Sequence, residues 1–200
     1  PTETLEDLDG IAEIAKKIKE INYDIKGRKG GRFNVTVSVS NFVPKAHTPF
    51  QWVAQDTEEQ FIEKHNYLTK QLSIKNVTFN YHDTETSALE AVFARGDRRV
   101  GKVLLRAAEL GCKFDGWSEH FRADLWKQAF ADTGVDAAFY TTRAHGLDEI
   151  LPWDIIDSFI SKDFLKKEYQ KALGEETTHD CRKGCVGCGM NRKANCMPEV

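Results

Sequence analysis

Long apolar runs are missing from this chain. Hydrophobic residues make up 40% of its 200 positions, yet they never collect into one membrane-length stretch. A bilayer-spanning helix needs about 20 consecutive apolar residues, so no membrane partner is expected. The 200 residues contain no signal-peptide pattern, although a segment ahead of Pro1 is where one would sit. Charge of one sign does not dominate either. The net charge is −3 with 30% of residues charged, which removes any global electrostatic case for nucleic acid or membrane. Internal repeats and low-complexity tracts are absent. Cysteine is scarce outside one place, with Cys112 alone and the other four of five between positions 181 and 196. Such crowding favours a metal site in a reducing compartment over a disulfide framework. The chain therefore reads as cytoplasmic.

What is present centres on residues 32–52, RFNVTVSVSNFVPKAHTPFQW. Phe33, Val35, Val37 and Val39 alternate with Asn34, Thr36, Ser38 and Ser40. A period of two in β-branched residues predicts a strand. One face is large and apolar and should pack on helices. The other is small and hydroxylic, which suits a barrel lumen that leaves room for a ligand; the plainer alternative is the wet side of an exposed sheet. Pro44 and Pro49 stop the strand and stiffen a loop at its C-terminal end. Ligands gather at that end in parallel α/β sheets and barrels.

Around the strand, Leu5, Leu8, Ile11, Ile14, Ala15, Ile18 and Ile21 mark one helical face over residues 4–21, with Thr4 as N-cap. The Gly- and Lys-rich loop 26–32 reads as a solvated turn. A second helix, capped by Asp56 or Thr57, carries Phe61, Ile62, His65, Leu68 and Leu72. Ile74, Val77, Phe79 and Tyr81 predict a second strand ending at His82. Helix, strand, helix, strand is an α/β unit with parallel strands. From Thr84 onward the pattern is helical: a capping box at Ser87 and Glu90, a break at Gly96, then helices over 97–110, 118–130 and 161–173. Trp117, Trp126 and Trp153 read as core.

Three sets of residues carry chemistry. Cys181, Cys185, Cys188 and Cys196 have the spacing C-x3-C-x2-C-x7-C, with Gly184, Gly187 and Gly189 between them. Thiolates so spaced can converge on one ion from a tight turn; the alternative is free or disulfide-bonded cysteine. A structural zinc or an auxiliary iron–sulfur cluster fits a site at this end of the chain. Arg95, Asp97, Arg98 and Arg99 concentrate charge at a helix junction, either as an internal salt-bridge knot with Glu90 or Asp115 or as an anion site for substrate. His47 and His82 follow strands, a common place for functional side chains, against the simpler role of capping a carbonyl. His82, Arg95, Asp97 and Arg98 are the catalytic candidates and are expected to lie together with Glu90.

The run S-x-S-x-F-V-P-K-x-H-T-P-F-Q-W, from Ser38 to Trp52, resembles the last barrel strand and following loop of radical S-adenosylmethionine (SAM) proteins of the cobalamin-binding-domain type. Pro1-Thr2-Glu3-Thr4 is similar to the tail of that family's G-L-P-T-E-T turn. The segments RGDRR (95–99), FDGW (114–117), LPWD (151–154) and the final cysteine run resemble an uncharacterised subgroup. The resemblance implies a fold in which residues 1–83 are the last βα segments of a partial (β/α) barrel. Residues 84–174 would be a helical extension, and 175–200 a Cys-rich metal knuckle. It implies that the family's CxxxCxxC loop lies upstream of Pro1, so the expected partner is a missing N-terminal part of the same protein. It implies SAM and a [4Fe–4S] cluster in the whole protein, with cobalamin a further cofactor. SAM would lie near Glu3, Ser38, Ser40, Val43, Pro44 and Lys45. The substrate, a small molecule or RNA, is not legible. Two rivals remain: a zinc- or cluster-stabilised module that docks a partner domain or RNA without chemistry, and Cys181, Cys185 and Cys188 holding the SAM cluster themselves.

Overall fold

In the computed structural model, residues 2–27, 33–192 and 196 are described; residues 28–32 of the Gly- and Lys-rich loop lie outside them. The structure is mixed α/β and mostly helical, with one parallel two-stranded sheet. The chain divides into two compact units: Pro1–Phe42 with Asp56–Ala88, and Val43–Gln55 with Leu89–Val200. The loop that follows the first strand thus belongs to the second unit.

The first unit begins with α1 (Leu5–Lys26). Thr4 Oγ1 accepts from the Asp7 amide while the Asp7 carboxylate accepts from the Thr4 amide, a reciprocal cap that fixes the helix start. The helix runs five residues past the expected end. Strand β1 (Val35–Val39) leads to α2 (Glu58–Gln71), capped by Thr57 and Gln60 in the same reciprocal way. β2 (Val77–Tyr81) lies parallel to β1, with Val35 opposite Val77 and Val39 opposite Tyr81. Leu8, Ala12 and Ala15 of α1 share a core with Val35, Leu68 and Leu72, and Val37, Val39, Val77 and Phe79 pack against it. Both helices therefore cover the same face of the sheet. On the other face Thr36, Ser38, Thr78 and Asn80 are exposed, and Asn34 Nδ2 donates to Thr78 Oγ1 across the strands at 3.1 Å.

α3 (Thr84–Arg95) starts earlier than the Ser87–Glu90 pattern suggests. Asp83 is its cap: its Oδ1 accepts from the Thr86 amide at 2.8 Å. Ser87 instead turns its hydroxyl back onto the Asp83 carbonyl at 2.7 Å. In the second unit, α4 (Val100–Leu110) ends at Gly111 with φ 101°, and α5 (Ala123–Thr133) ends at Gly134 with φ 64°. α5 begins five residues later than expected, because Phe114 at φ 58° opens a run of turns through His120. α6 (Lys162–Leu173) is capped by Ser161 as expected, its Oγ accepting from the Phe164 amide at 3.2 Å. Trp126 packs with Val103, Ala107 and Ala129, and Trp153 with Trp52, Leu151 and Leu165. Trp117 departs from the expected core, being 63% exposed in the turn before α5.

Candidate functional site

At the C-terminal ends of β1 and β2 a polar network closes the first unit. Asn41, two residues past β1, donates its Nδ2 to the His82 carbonyl at 3.1 Å and to Ser87 Oγ at 2.9 Å. Its Oδ1 is therefore the acceptor, and His65 Nε2 donates to it at 2.8 Å. That assigns the Nε2–H tautomer to His65 and leaves Nδ1 as its free lone pair. His65 is 6% exposed on α2 and stacks on Tyr81 with ring centroids 4.0 Å apart. Burial pushes its pKa down, against a smaller upward pull from Asp83, so the ring is held neutral. A hollow of about 210 Å³ opens here, lined by Ile62, His65, Asn66, Tyr81, Asp83 and Thr84. A neutral imidazole with one fixed donor, beside a carboxylate at a strand end, can accept a proton or bind a donor.

His82 itself is exposed; its amide donates to the Val39 carbonyl at 3.3 Å, extending the β1–β2 ladder by one bond. Glu3 pairs with Lys64 at 2.6 Å, and Lys64 also holds Asp56 at 2.7 Å. Ser38 and Ser40 are exposed on the sheet's polar face.

The remaining candidates belong to the second unit. Pro44 is buried, Val43 half-buried, and Lys45 pairs with Glu90. Arg95 is 1% exposed. The expected salt-bridge knot with Glu90 or Asp115 is not what its guanidinium makes. It donates Nη1 to the Thr141 carbonyl and Nη2 to the Arg143 carbonyl, both at 2.9 Å. Burial lowers its pKa to about 10, with further repulsion from Arg143. Arg95 is thus an internal clasp on the 141–143 backbone. Asp97 accepts Arg99 Nε on Oδ1 and Arg99 Nη2 on Oδ2, and accepts the Tyr140 hydroxyl at 3.1 Å; the Arg99 hydrogen bonds bring its pKa down to about 2. Arg98 is exposed.

A cluster that the sequence did not announce lies beside Arg95. Both Glu149 oxygens receive Arg143, at 3.1 and 2.8 Å, and this pairing brings the Glu149 pKa down to about 2. His145 Nδ1 sits 2.8 Å from Arg143 Nη2 and 3.0 Å from Glu149 Oε1. Its amide donates to the Trp52 carbonyl at 2.8 Å, and burial pushes its pKa down. The Arg-x-His-x3-Glu spacing was the only local signal.

Cys181 lies in a 3-10 turn (Cys181–Lys183) capped by Asp180; Cys181 and Cys185 are exposed and Cys188 is half-buried. Gly187 and Gly189 adopt φ 73° and 102°, the turn freedom the spacing requires. Among the described residues no three His, Cys, Asp or Glu side chains form a group that could hold a metal ion. The donor set suits a soft metal, but a metal knuckle takes its shape from the ion it binds. Cys196 is exposed. Cys112 packs beside the Trp126 core, and burial raises its pKa, in keeping with a core thiol.

No family model matches the chain, and no solved structure matches it. It is similar to an uncharacterized protein, MJ0966, of Methanocaldococcus jannaschii, with 29% identity over 135 residues. The matched region is 68% of this chain and 28% of that protein, so the chain spans well under a third of the relative's length. Among the described residues no helix is long and apolar enough to cross a membrane.

Proposed function

We propose that this chain is the C-terminal part of a radical-SAM-type protein and supplies its last barrel strands. The observation that carries this is the one-sided parallel pair. β1 and β2 have α1 and α2 on one face, while the other face, Thr36, Ser38, Thr78 and Asn80, is small, polar and uncovered. A lumen-facing surface in a barrel has that composition, and a parallel pair with one bare face is unusual as a finished sheet. α1 supports the same conclusion. Ile14, Ile18, Ile21 and Ile25 make a second apolar stripe that is 64%, 42%, 47% and 77% exposed, as expected of a helix that packs on a neighbour. The relative's greater length fits a larger whole.

In that protein upstream cysteines would hold a [4Fe–4S] cluster, which would supply the electron for reductive SAM cleavage. This chain's own contribution is positioning. Ser38 and Ser40 of the polar sheet face would line the adenosine side, and the Lys64–Glu3 pair holds the start of α1 to α2. Asn41 and neutral His65 form a polar floor at the strand ends. Cys181, Cys185 and Cys188, with Cys196, are the thiols that would bind zinc or an auxiliary iron–sulfur cluster, and that site would crosslink the tail. Cobalamin would be a further cofactor of the whole protein.

The test is association. The separately expressed upstream segment of the full-length gene product should form a stable 1:1 complex with this chain in gel filtration. Ile18→Asp with Ile21→Asp should abolish the complex while leaving the circular dichroism of the isolated chain unchanged. Complex formation that ignores both substitutions would remove α1 from the interface, and no association at all would count against the proposal.

A further inference from the structure

The second unit contains a cavity of about 330 Å³, whose lining includes the polar His47, Asp154, Asp157, Ser158 and Lys162 and the apolar Ile156, Ile160 and Leu165. Several features distinguish it from a surface dimple. His47 is held at φ 57°, a left-handed conformation that costs a non-glycine residue energy and clusters at functional sites. The Gln51 side-chain oxygen fixes that turn by accepting the His47 amide at 3.1 Å, and the same oxygen accepts Trp153 Nε1 at 2.6 Å. His47 Nε2 and Ser158 Oγ are both buried with no hydrogen-bond partner in the protein, a rare condition that calls for a ligand or an ordered water. Asp154 uses Oδ2 for the Leu151 amide at 2.9 Å and for Lys162 at 2.6 Å; among the described residues its Oδ1 has no partner.

Charge and hydrogen-bond capacity define what fits. Asp154 and Asp157 outnumber Lys162 among the charged side chains of the lining. The open positions can all accept: a carboxylate oxygen, the Nε2 of His47 with its proton on Nδ1, and a hydroxyl. A primary ammonium has three N–H donors and no acceptor, and needs three such partners. The three apolar side chains would take a short aliphatic body. No metal is implied, because among the described residues no three ligating side chains converge.

We propose that this cavity binds a small aliphatic primary amine, its ammonium received by Asp154, His47 and Ser158 and its hydrocarbon by Ile156, Ile160 and Leu165. The site is independent of the barrel proposal, since every residue in it belongs to the second unit. The test is a titration of the uniformly ¹⁵N-labelled full chain with n-butylammonium chloride, followed by NMR at constant ionic strength. Sodium butyrate and tetramethylammonium chloride serve as matched probes of charge sign and donor capacity. Saturable shifts at His47, Ser158 and Leu165 are expected with n-butylammonium only. Ser158→Ala should weaken binding about tenfold, the usual consequence of losing one hydrogen bond to a charged group. Equal shifts with butyrate would overturn the charge assignment, and equal shifts with tetramethylammonium the donor assignment. Absence of saturable shifts, or a folded Ser158→Ala chain that binds as well as the parent, would overturn the site. The wild-type comparison decides these outcomes even if the variant fails to fold.

Discussion

Asn41 Oδ1 accepts the Nε2 proton of His65 at 2.8 Å, and this bond joins the end of β1 to the middle of α2. Through its Nδ2, the same Asn41 also ties the chain beyond β2 and the first turn of α3. One side chain thus closes the strand end of the first unit.

Asn41→Ala leaves the buried His65 donor without its acceptor and the His82 carbonyl without its Asn41 bond. A loss of about 2–3 kcal/mol is expected, the cost of stranding buried polar groups. Urea denaturation followed by far-ultraviolet circular dichroism should record it. A change under about 0.5 kcal/mol would mean that the network is not what holds the strand ends.

The acid limb of stability should come from histidine. His65 and His145 both have pKa values lowered by burial. The unfolded chain therefore binds their protons more readily than the folded one, near the ordinary histidine value of about 6.5. Their contribution is complete above that pH and is lost as pH falls below it. Asp97 and Glu149, each held at about 2, add their loss only when carboxylates begin to protonate in the unfolded chain, below about pH 4.5. Denaturation midpoints should therefore fall between pH 7 and pH 5, and His65→Gln should shallow that slope. A midpoint that stays flat over this range would contradict the assignment of two buried neutral histidines.

Arg95 anchors backbone, so its replacement should unfold rather than merely disable. Arg95→Met removes both clasps on the Thr141 and Arg143 carbonyls, and a loss of about 3 kcal/mol or more is expected. Inorganic phosphate should leave the melting temperature of the parent chain unchanged. Stabilisation by phosphate that disappears in Arg95→Lys would restore the anion-site alternative.

Gly96 sits at a close backbone approach between α3 and α4. A Cβ there would lie 2.6 Å from the Val92 carbonyl oxygen and 2.8 Å from Val100 Cγ2. Gly96→Ala should cost about 2 kcal/mol through strain, measurable by thermal melting. A neutral substitution would show that the junction yields easily.

How legible these features were depended on how local their causes are. The alternation from Phe33 to Ser40 set both faces of β1, and Thr4, Thr57 and Ser161 announced their helices because a cap and its partner lie three residues apart. Gly96 and Gly111 marked ends for the same local reason. Ser118 looked like a cap but sits among the turns after Phe114, whose positive φ has no sequence signature. The partners of Arg95 are carbonyls 46 and 48 residues away, and any residue supplies a carbonyl. His65 read as part of an apolar helix face, which it is; that its Nε2 meets Asn41 depends on how α2 lies over β1.

In the proposed function these strands would complete a SAM-cleaving barrel whose cluster lies upstream. The direct measurement is 5′-deoxyadenosine formation after anaerobic reconstitution with iron and sulfide, in the presence of SAM and dithionite. The account predicts product from the protein encoded by the full gene and none from this 200-residue chain. Failure of the full-length protein to form product, or product from this chain alone that depends on Cys181, Cys185 and Cys188, would contradict it.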